Sequence, residues 1–91
     1  MTTLAVRQSV SDYDAWEPAF VGHDAVRRSH GATGHRVLRD GNDVLVLIDF
    51  PDEQSAHGFT EDPSLRDAMV KGGVVGAPDI SFRSESLLER Y

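Results

Sequence analysis

The sequence predicts an α+β domain, a four-stranded antiparallel sheet with helices on one face, in the order β-α-β-β-α-β. Three observations carry this. Leu4 to Val10 alternates with period 2. Two β-type segments, Thr33 to Arg39 and Val44 to Phe50, are joined by DGND, a tight-turn composition. Cap and proline signals mark helices on either side of that hairpin. A chain of 91 residues holds one such domain, 1–91. It buries only about 60–65% of its unfolded surface, so a second copy is a natural source of stability.

Taken in order, Leu4, Val6, Gln8 and Val10 share one face of the first strand, and Ala5, Arg7 and Ser9 the other. Ser11 reads as a helix N-cap with Asp14 three residues on. Pro18 lacks an N–H and clashes with the carbonyl four residues back. The expectation is therefore a short turn over Asp12 to Trp16, then a helix from Glu17–Pro18 to Ser29–His30, with Gly31 as the residue after its end. Val44 to Ile48 is apolar on both faces, which marks a central strand covered on both sides. Asp52 to Thr60 reads as a short helix. Asp62 caps another that opens with Pro63 and runs to about Lys71. Gly72 to Pro78 reads as a loop, Ile80 to Ser84 as the last strand, and SLLERY as an amphipathic tail able to pack on a neighbour.

This is the split βαβ, ferredoxin-like order. Its helices cover one face only, and a second copy of the same sheet is the economical cover for the other. That predicts a two-fold homodimer.

Composition excludes several functions. The net charge of −6 lacks the basic stripe a nucleic-acid binder needs. There is no cysteine, which removes thiolate catalysis, Fe–S clusters and cysteine zinc sites and fits a cytoplasmic protein. MTTLAVRQSV has no cationic stretch leading into a long apolar run, so it does not read as a signal peptide, and VLVLI is too short to span a membrane. GxGxxG, GxxxxGK[ST], GxSxG and HExxH are all absent. GGVVG follows a helix instead of opening one, so it is no phosphate cradle.

The succession DYDAWEPAF, GATGHRVLRD, a hydrophobic strand ending IDFPD, AHGF, DPSLRDAM and GGVVGAPDISF resembles the small dimeric α+β barrel proteins of the antibiotic-biosynthesis-monooxygenase-like kind. Haem-degrading monooxygenases and polyketide cyclases belong to the same superfamily. The resemblance runs from about Leu4 to Phe82. It implies a homodimer with a cavity between sheet and helices in each protomer. It also implies a cofactor-independent enzyme acting on a hydrophobic, aromatic or polyketide-like compound, by oxygenation with dioxygen or by cyclisation or isomerisation. Monooxygenases of this kind use an Asn and a Trp near the second helical region. Here the sole Trp is Trp16, before the first helix, and the sole Asn is Asn42, in the hairpin turn. No catalytic residue is carried over from them.

The residues themselves offer candidates. Trp16, Phe20, His23 and Arg27 recur at helical spacing on one face. His23 is placed to act as general base or acid in an apolar pocket, or to be a histidine at the core's edge. His35, in the second strand, is a second catalytic candidate if helix and strand face each other, or else an interface residue. Tyr13, Trp16, Phe20 and Phe59 are candidates to wall a substrate site; the aromatics are equally candidates for core. Arg36 and Arg39 are placed to pair with Asp49 across the hairpin. In a cavity, Arg36 would instead bind an anionic or phenolate group. His30 sits where it meets the first helix's C-terminal dipole, and His57 is expected to face solvent. His23, His35 and His57 with Asp49 show no HxH or HxxxH spacing, so no metal site is expected. Two other readings stay open. One is a non-enzymatic ligand-binding or interaction module working as a homodimer. The other is haem binding with His23 or His35 as axial ligand. An enclosed space of a few hundred Å3 around Trp16, Phe20, His23 and Phe59 would mark a site; dense packing there would mark a core.

Overall fold

A computed structural model describes residues 1–91. Four strands, β1 (Thr2–Val10), β2 (Gly34–Asp40), β3 (Asp43–Phe50) and β4 (Val74–Ser84), form one antiparallel sheet in the order β2-β3-β1-β4. Helices α1 (Tyr13–Gly22) and α2 (Asp24–Ser29) fill the first crossover; α3 (Glu53–Thr60) and α4 (Pro63–Lys71) fill the second. This is the ferredoxin-like α+β arrangement the sequence predicts, with β3 and β1 as its central strands.

Period 2 decides which face is covered. Leu4, Val6 and Val10 of β1 and Val44, Val46, Ile48 and Phe50 of β3 are buried under the helices. Trp16, Ala56 and Phe59 complete the core from above. Burying a side chain such as Phe50 or Phe59 stabilises the fold by roughly 1.5–3 kcal/mol. The opposite face carries Ala5, Arg7, Leu45 and Leu47, with Arg36 and Leu38 beside them on β2; Leu38, Leu45, Arg7 and Arg36 are exposed. β3 is thus apolar on both faces, but its second face is uncovered in the single chain.

The hairpin turn is as expected. Gly41 has φ +60° and no non-glycine residue has positive φ, the pattern of a type II′ turn with glycine at the first central position. Asn42 ties this turn to α1: its Oδ1 accepts from the Tyr13 N–H at 3.1 Å.

Several boundaries differ from expectation. Asp12, not Ser11, caps α1; its side chain accepts from the Asp14 N–H at 3.1 Å. The helix then runs from Tyr13 straight through Pro18. Both Asp14 and Pro18 face solvent, so the carbonyl that Pro18 leaves without a donor is free to bond water. The single helix expected up to Ser29–His30 is broken at His23 (φ −91°, ψ 5°), just after Gly22, a weak helix former. The expected loop Gly72 to Pro78 is largely strand. β4 begins at Val74, and its register against β1 slips between Arg7–Asp79 and Ser9–Val75. Pro78 is tolerated there because β4 is an edge strand with a bulge. Gly73 (φ +75°) turns the chain from α4 into β4; a Cβ on it would lie 2.6 Å from Ser11 Oγ. The tail after Ser84 has no regular structure, and Leu87 and Leu88 are exposed.

Candidate functional site

Between the sheet and the helices lies a predominantly apolar cavity of about 50 Å3. Its floor is Leu4, Val6, Val46 and Ile48, and its roof is Trp16, Phe20, His23 and Arg27. Phe59, Leu65 and Met69 close it from α3 and α4. The four roof residues fall on one side because the spacing 4-3-4 keeps one face inward even across the break at His23. The space has room for a few water-sized groups and is well below the roughly 300–1,000 Å3 of a drug-sized site. Outside it, a groove of about 410 Å3 runs between α1 and α4. Ala15, Ala19 and Gly22 of α1 and Ala68 of α4 are too small to fill that groove. His23 stands in the wall of both spaces.

His23 is held by a chain of polar contacts. Its Nε2 is 2.9 Å from Ser64 Oγ, and Ser64 Oγ donates to Asp62 Oδ1 at 2.7 Å. The other carboxylate oxygen, Asp62 Oδ2, is 2.8 Å from His30 Nε2. Because the one Ser64 hydroxyl proton goes to Asp62, His23 Nε2 must be the donor to Ser64, which leaves Nδ1 as the basic nitrogen of the neutral ring. No protein group is hydrogen-bonded to Nδ1. Burial, and after it the Arg27 charge, lower the His23 pKa below the usual histidine value, so the ring is neutral near pH 7. Hydrogen bonds from His30 and Ser64 hold the Asp62 carboxyl down at about 2. The sequence reading missed this chain: it takes Asp62 only as a cap, and Ser64 not at all. His30 does close α2, but its ring reaches across to the α4 cap.

Besides His23, three polar residues line the cavity: Gln8, Arg27 and Thr60. Arg27 is 2% exposed; its guanidinium lies 3.8 Å over the Phe20 ring, and Nη2 is 3.6 Å from Asp24 Oδ1. Its Nε and Nη2 are shut off from solvent with no hydrogen-bond acceptor, and so is Gln8 Oε1 with no donor. A signal for Arg27 was present, since it continues the Trp16–Phe20–His23 spacing. Gln8 is a polar residue in the inward phase of β1.

The remaining candidates fall elsewhere. Trp16, Phe20 and Phe59 wall the cavity, and Trp16 and Phe59 belong to the core as well. Tyr13 packs at a tilt against Trp16, 5.5 Å between ring centres, under the Arg39 guanidinium at 3.9 Å, and does not line the cavity. His35 does not join His23: it is exposed, edge-on to Phe20 at 5.0 Å, beside an outer hollow of about 300 Å3 that it shares with Asp24, Arg27 and Arg28. The pleat puts Arg36 on the opposite face, across from Leu47, so the arginine at the cavity is Arg27. Neither Arg36 nor Arg39 pairs with Asp49, which accepts from Thr3 Oγ1 at 2.7 Å; the cross-strand ion pair is Arg7–Asp43 at 3.0 Å. His57 is exposed and stacks on Phe82 at 3.9 Å. No group of three or more His, Asp or Glu is placed to hold a metal ion. No helix is long and apolar enough to cross a membrane.

No family model matches the sequence, and no curated protein does. Solved structures do match the fold. SnoaB from Streptomyces nogalater, a cofactor-independent oxygenase, superposes with a TM-score of 0.79 at 14% identity, over 96% of this chain and 94% of its own. A Bordetella bronchiseptica protein provisionally assigned as an antibiotic biosynthesis monooxygenase gives 0.79 at 10% identity, over 94% and 97%. The Nitrosomonas europaea protein NE2512, of unknown function, gives 0.70 at 16% identity, over 98% and 95%. The chain therefore has the ferredoxin-like α+β fold of the antibiotic-biosynthesis-monooxygenase-like proteins. At these identities the likeness is one of fold, over nearly the whole chain.

Proposed function

We propose that the protein is a small-molecule enzyme that needs no metal or organic cofactor and uses His23 to take a proton from a hydrophobic ligand. One observation carries this reading: a neutral histidine in the wall of an apolar cavity, with Nε2 fixed by the Ser64–Asp62–His30 chain and Nδ1 left free. Such a base suits removal of a phenolic or activated C–H proton, which prepares a compound for dioxygen or for cyclisation. The cofactor-independent oxygenase among its structural neighbours supports the same class of chemistry. The cavity takes the reacting end, and the body of a larger compound lies in the α1–α4 groove on the other side of His23. The working unit of this reading is a cytoplasmic homodimer joined through the open sheet face, where Leu38 and Leu45 are exposed. The test is dioxygen uptake and product formation with a panel of phenolic polycyclic compounds, for the wild type and His23→Gln. The variant should fold and lose about 10²-fold or more in turnover. Equal turnover would remove His23 from the chemistry.

A further inference from the structure

Arg27 is the least satisfied group in the molecule. Its guanidinium is buried, and two of its three nitrogens have neither solvent nor acceptor. The nearest carboxylate, Asp24, is an ion-pair partner that attracts the charge without completing a hydrogen bond. Asp24 Oδ1 is 3.6 Å from Nη2, beyond hydrogen-bonding distance, and Asp24 Oδ2 is engaged by Arg28 Nε at 2.7 Å. Phe20 stacks on the guanidinium face and offers no lone pair to its edge. The pattern of orphaned atoms is informative. Nε–H and one N–H of Nη2 lie side by side on one edge of the guanidinium, and that edge is the fork that takes both oxygens of a carboxylate. A buried cation without acceptors is costly, and an anion brought by a ligand removes the cost. Gln8 Oε1 is a second buried orphan in the wall of the same cavity, so the protein alone does not satisfy the polar atoms there.

We propose that the cavity binds a compact apolar carboxylate, that Arg27 turns its Nε–Nη2 edge, sealed in the free protein, toward the two oxygens on binding, and that the hydrocarbon part lies between Trp16, Phe20 and Phe59. This deepens the reading of the cavity as a small-molecule site and rests on it. The cavity's small volume favours a short chain, with anything longer, a ring included, passing His23 into the α1–α4 groove. The exposed Arg36 has no part in it.

The test uses the full chain with 15N-labelled arginine and follows the Arg27 Nε–H resonance during titration with butyrate and benzoate. Butyramide and benzamide serve as uncharged counterparts of the same shape. The carboxylates should move the Arg27 resonance and bind roughly tenfold or more tightly than the amides. Arg27→Lys, which keeps the charge and loses the fork, should weaken carboxylate binding and leave amide binding unchanged. Two results would overturn the proposal, and they differ. If amides bind as well as carboxylates and perturb cavity residues, the cavity is a ligand site but Arg27 is not its anion receptor. If neither series perturbs Trp16, Phe20 or Phe59, the Arg27 edge stays unpaired and the cavity is not a small-molecule site at all. The primary readout is on the unsubstituted protein, so a variant that fails to fold does not spoil it.

Discussion

The cavity has a floor of strand residues, Leu4, Val6, Val46 and Ile48, and a roof of helix residues, Trp16, Phe20, His23 and Arg27, and the two are held in different ways. The floor is apolar, nearly fully buried, and pinned by the β1–β3 register, in which Leu4 faces Ile48 and Val6 faces Val46. The roof is interrupted. Pro18 removes one helical hydrogen bond, the helix breaks at His23, and the polar residues are tied sideways to α4 or not tied at all. A continuous ladder makes a poor place to put a base, because its side chains must fill the core. A broken helix leaves room for titratable groups at the core's edge. Stability should therefore reside in the floor and chemistry in the roof.

The largest expected effect tests the floor. Ile48→Ala removes buried methylenes from beneath the cavity and should cost about 2–5 kcal/mol in urea unfolding, toward the upper end if the existing void keeps its walls apart. Against a typical total of about 5–15 kcal/mol this is severe. His23→Gln should cost about 0.5–1.5 kcal/mol, the worth of one hydrogen bond to Ser64, while reducing turnover far more. A His23 variant that unfolds as readily as Ile48→Ala would erase the distinction between the two layers.

Acid should act on the roof in two stages. His23 has a lowered pKa when folded, so below about pH 6.5 the unfolded chain takes up a proton that the folded one resists, and stability falls as pH falls. Arg27 and Asp62 are the charged groups that set this value after burial, the first lowering it and the second raising it. Asp62 works in a lower window. Its folded value of about 2, against an ordinary 3.8, contributes stability that is complete above about pH 4 and is lost on the way down to pH 2. Urea midpoints at pH 7.5, 5.5 and 3 would show both stages. His23→Gln should flatten the first and leave the second, and Asp62→Asn should reduce the second. A first stage that survives in His23→Gln would assign it to another histidine.

The same contrast explains what was legible in the sequence. The floor was, because alternation in Leu4–Val10 and the apolar run Val44–Ile48 translate directly into a buried face. Arg36 shows the limit: the phase of β2 puts it on the open side, and a sequence position does not announce which phase faces inward. The roof was legible only as a spacing. Trp16, Phe20, His23 and Arg27 were correctly placed together, but the hydrogen-bond chain from His23 to Ser64, Asp62 and His30 joins residues 41 and 32 positions apart. Contacts of that range depend on how α4 docks, which no local pattern encodes. Pro18 escapes the local rule for a related reason. The rule against proline inside a helix assumes a carbonyl that has no other partner, and on the solvent side of α1 water supplies one.

The smallest of the effects is expected at Pro18. Pro18→Ala restores one N–H to α1, on a face that packs against nothing but the rim of the outer groove. A proline inside a helix costs about 3 kcal/mol. Solvation of the freed Asp14 carbonyl already recovers part of this, and the loss of proline's stiffening of the unfolded chain takes back about 0.4–1 kcal/mol. The net expectation is a gain of about 1 kcal/mol by urea unfolding, with slower amide exchange through Gly22 and His23. A gain would place the weakness of the roof at Pro18 and offer a way to stiffen it without touching the cavity. No gain, with exchange at Gly22 and His23 unchanged, would place it at the break itself, where Gly22 gives the helix little reason to continue and His23 is held from α4 instead.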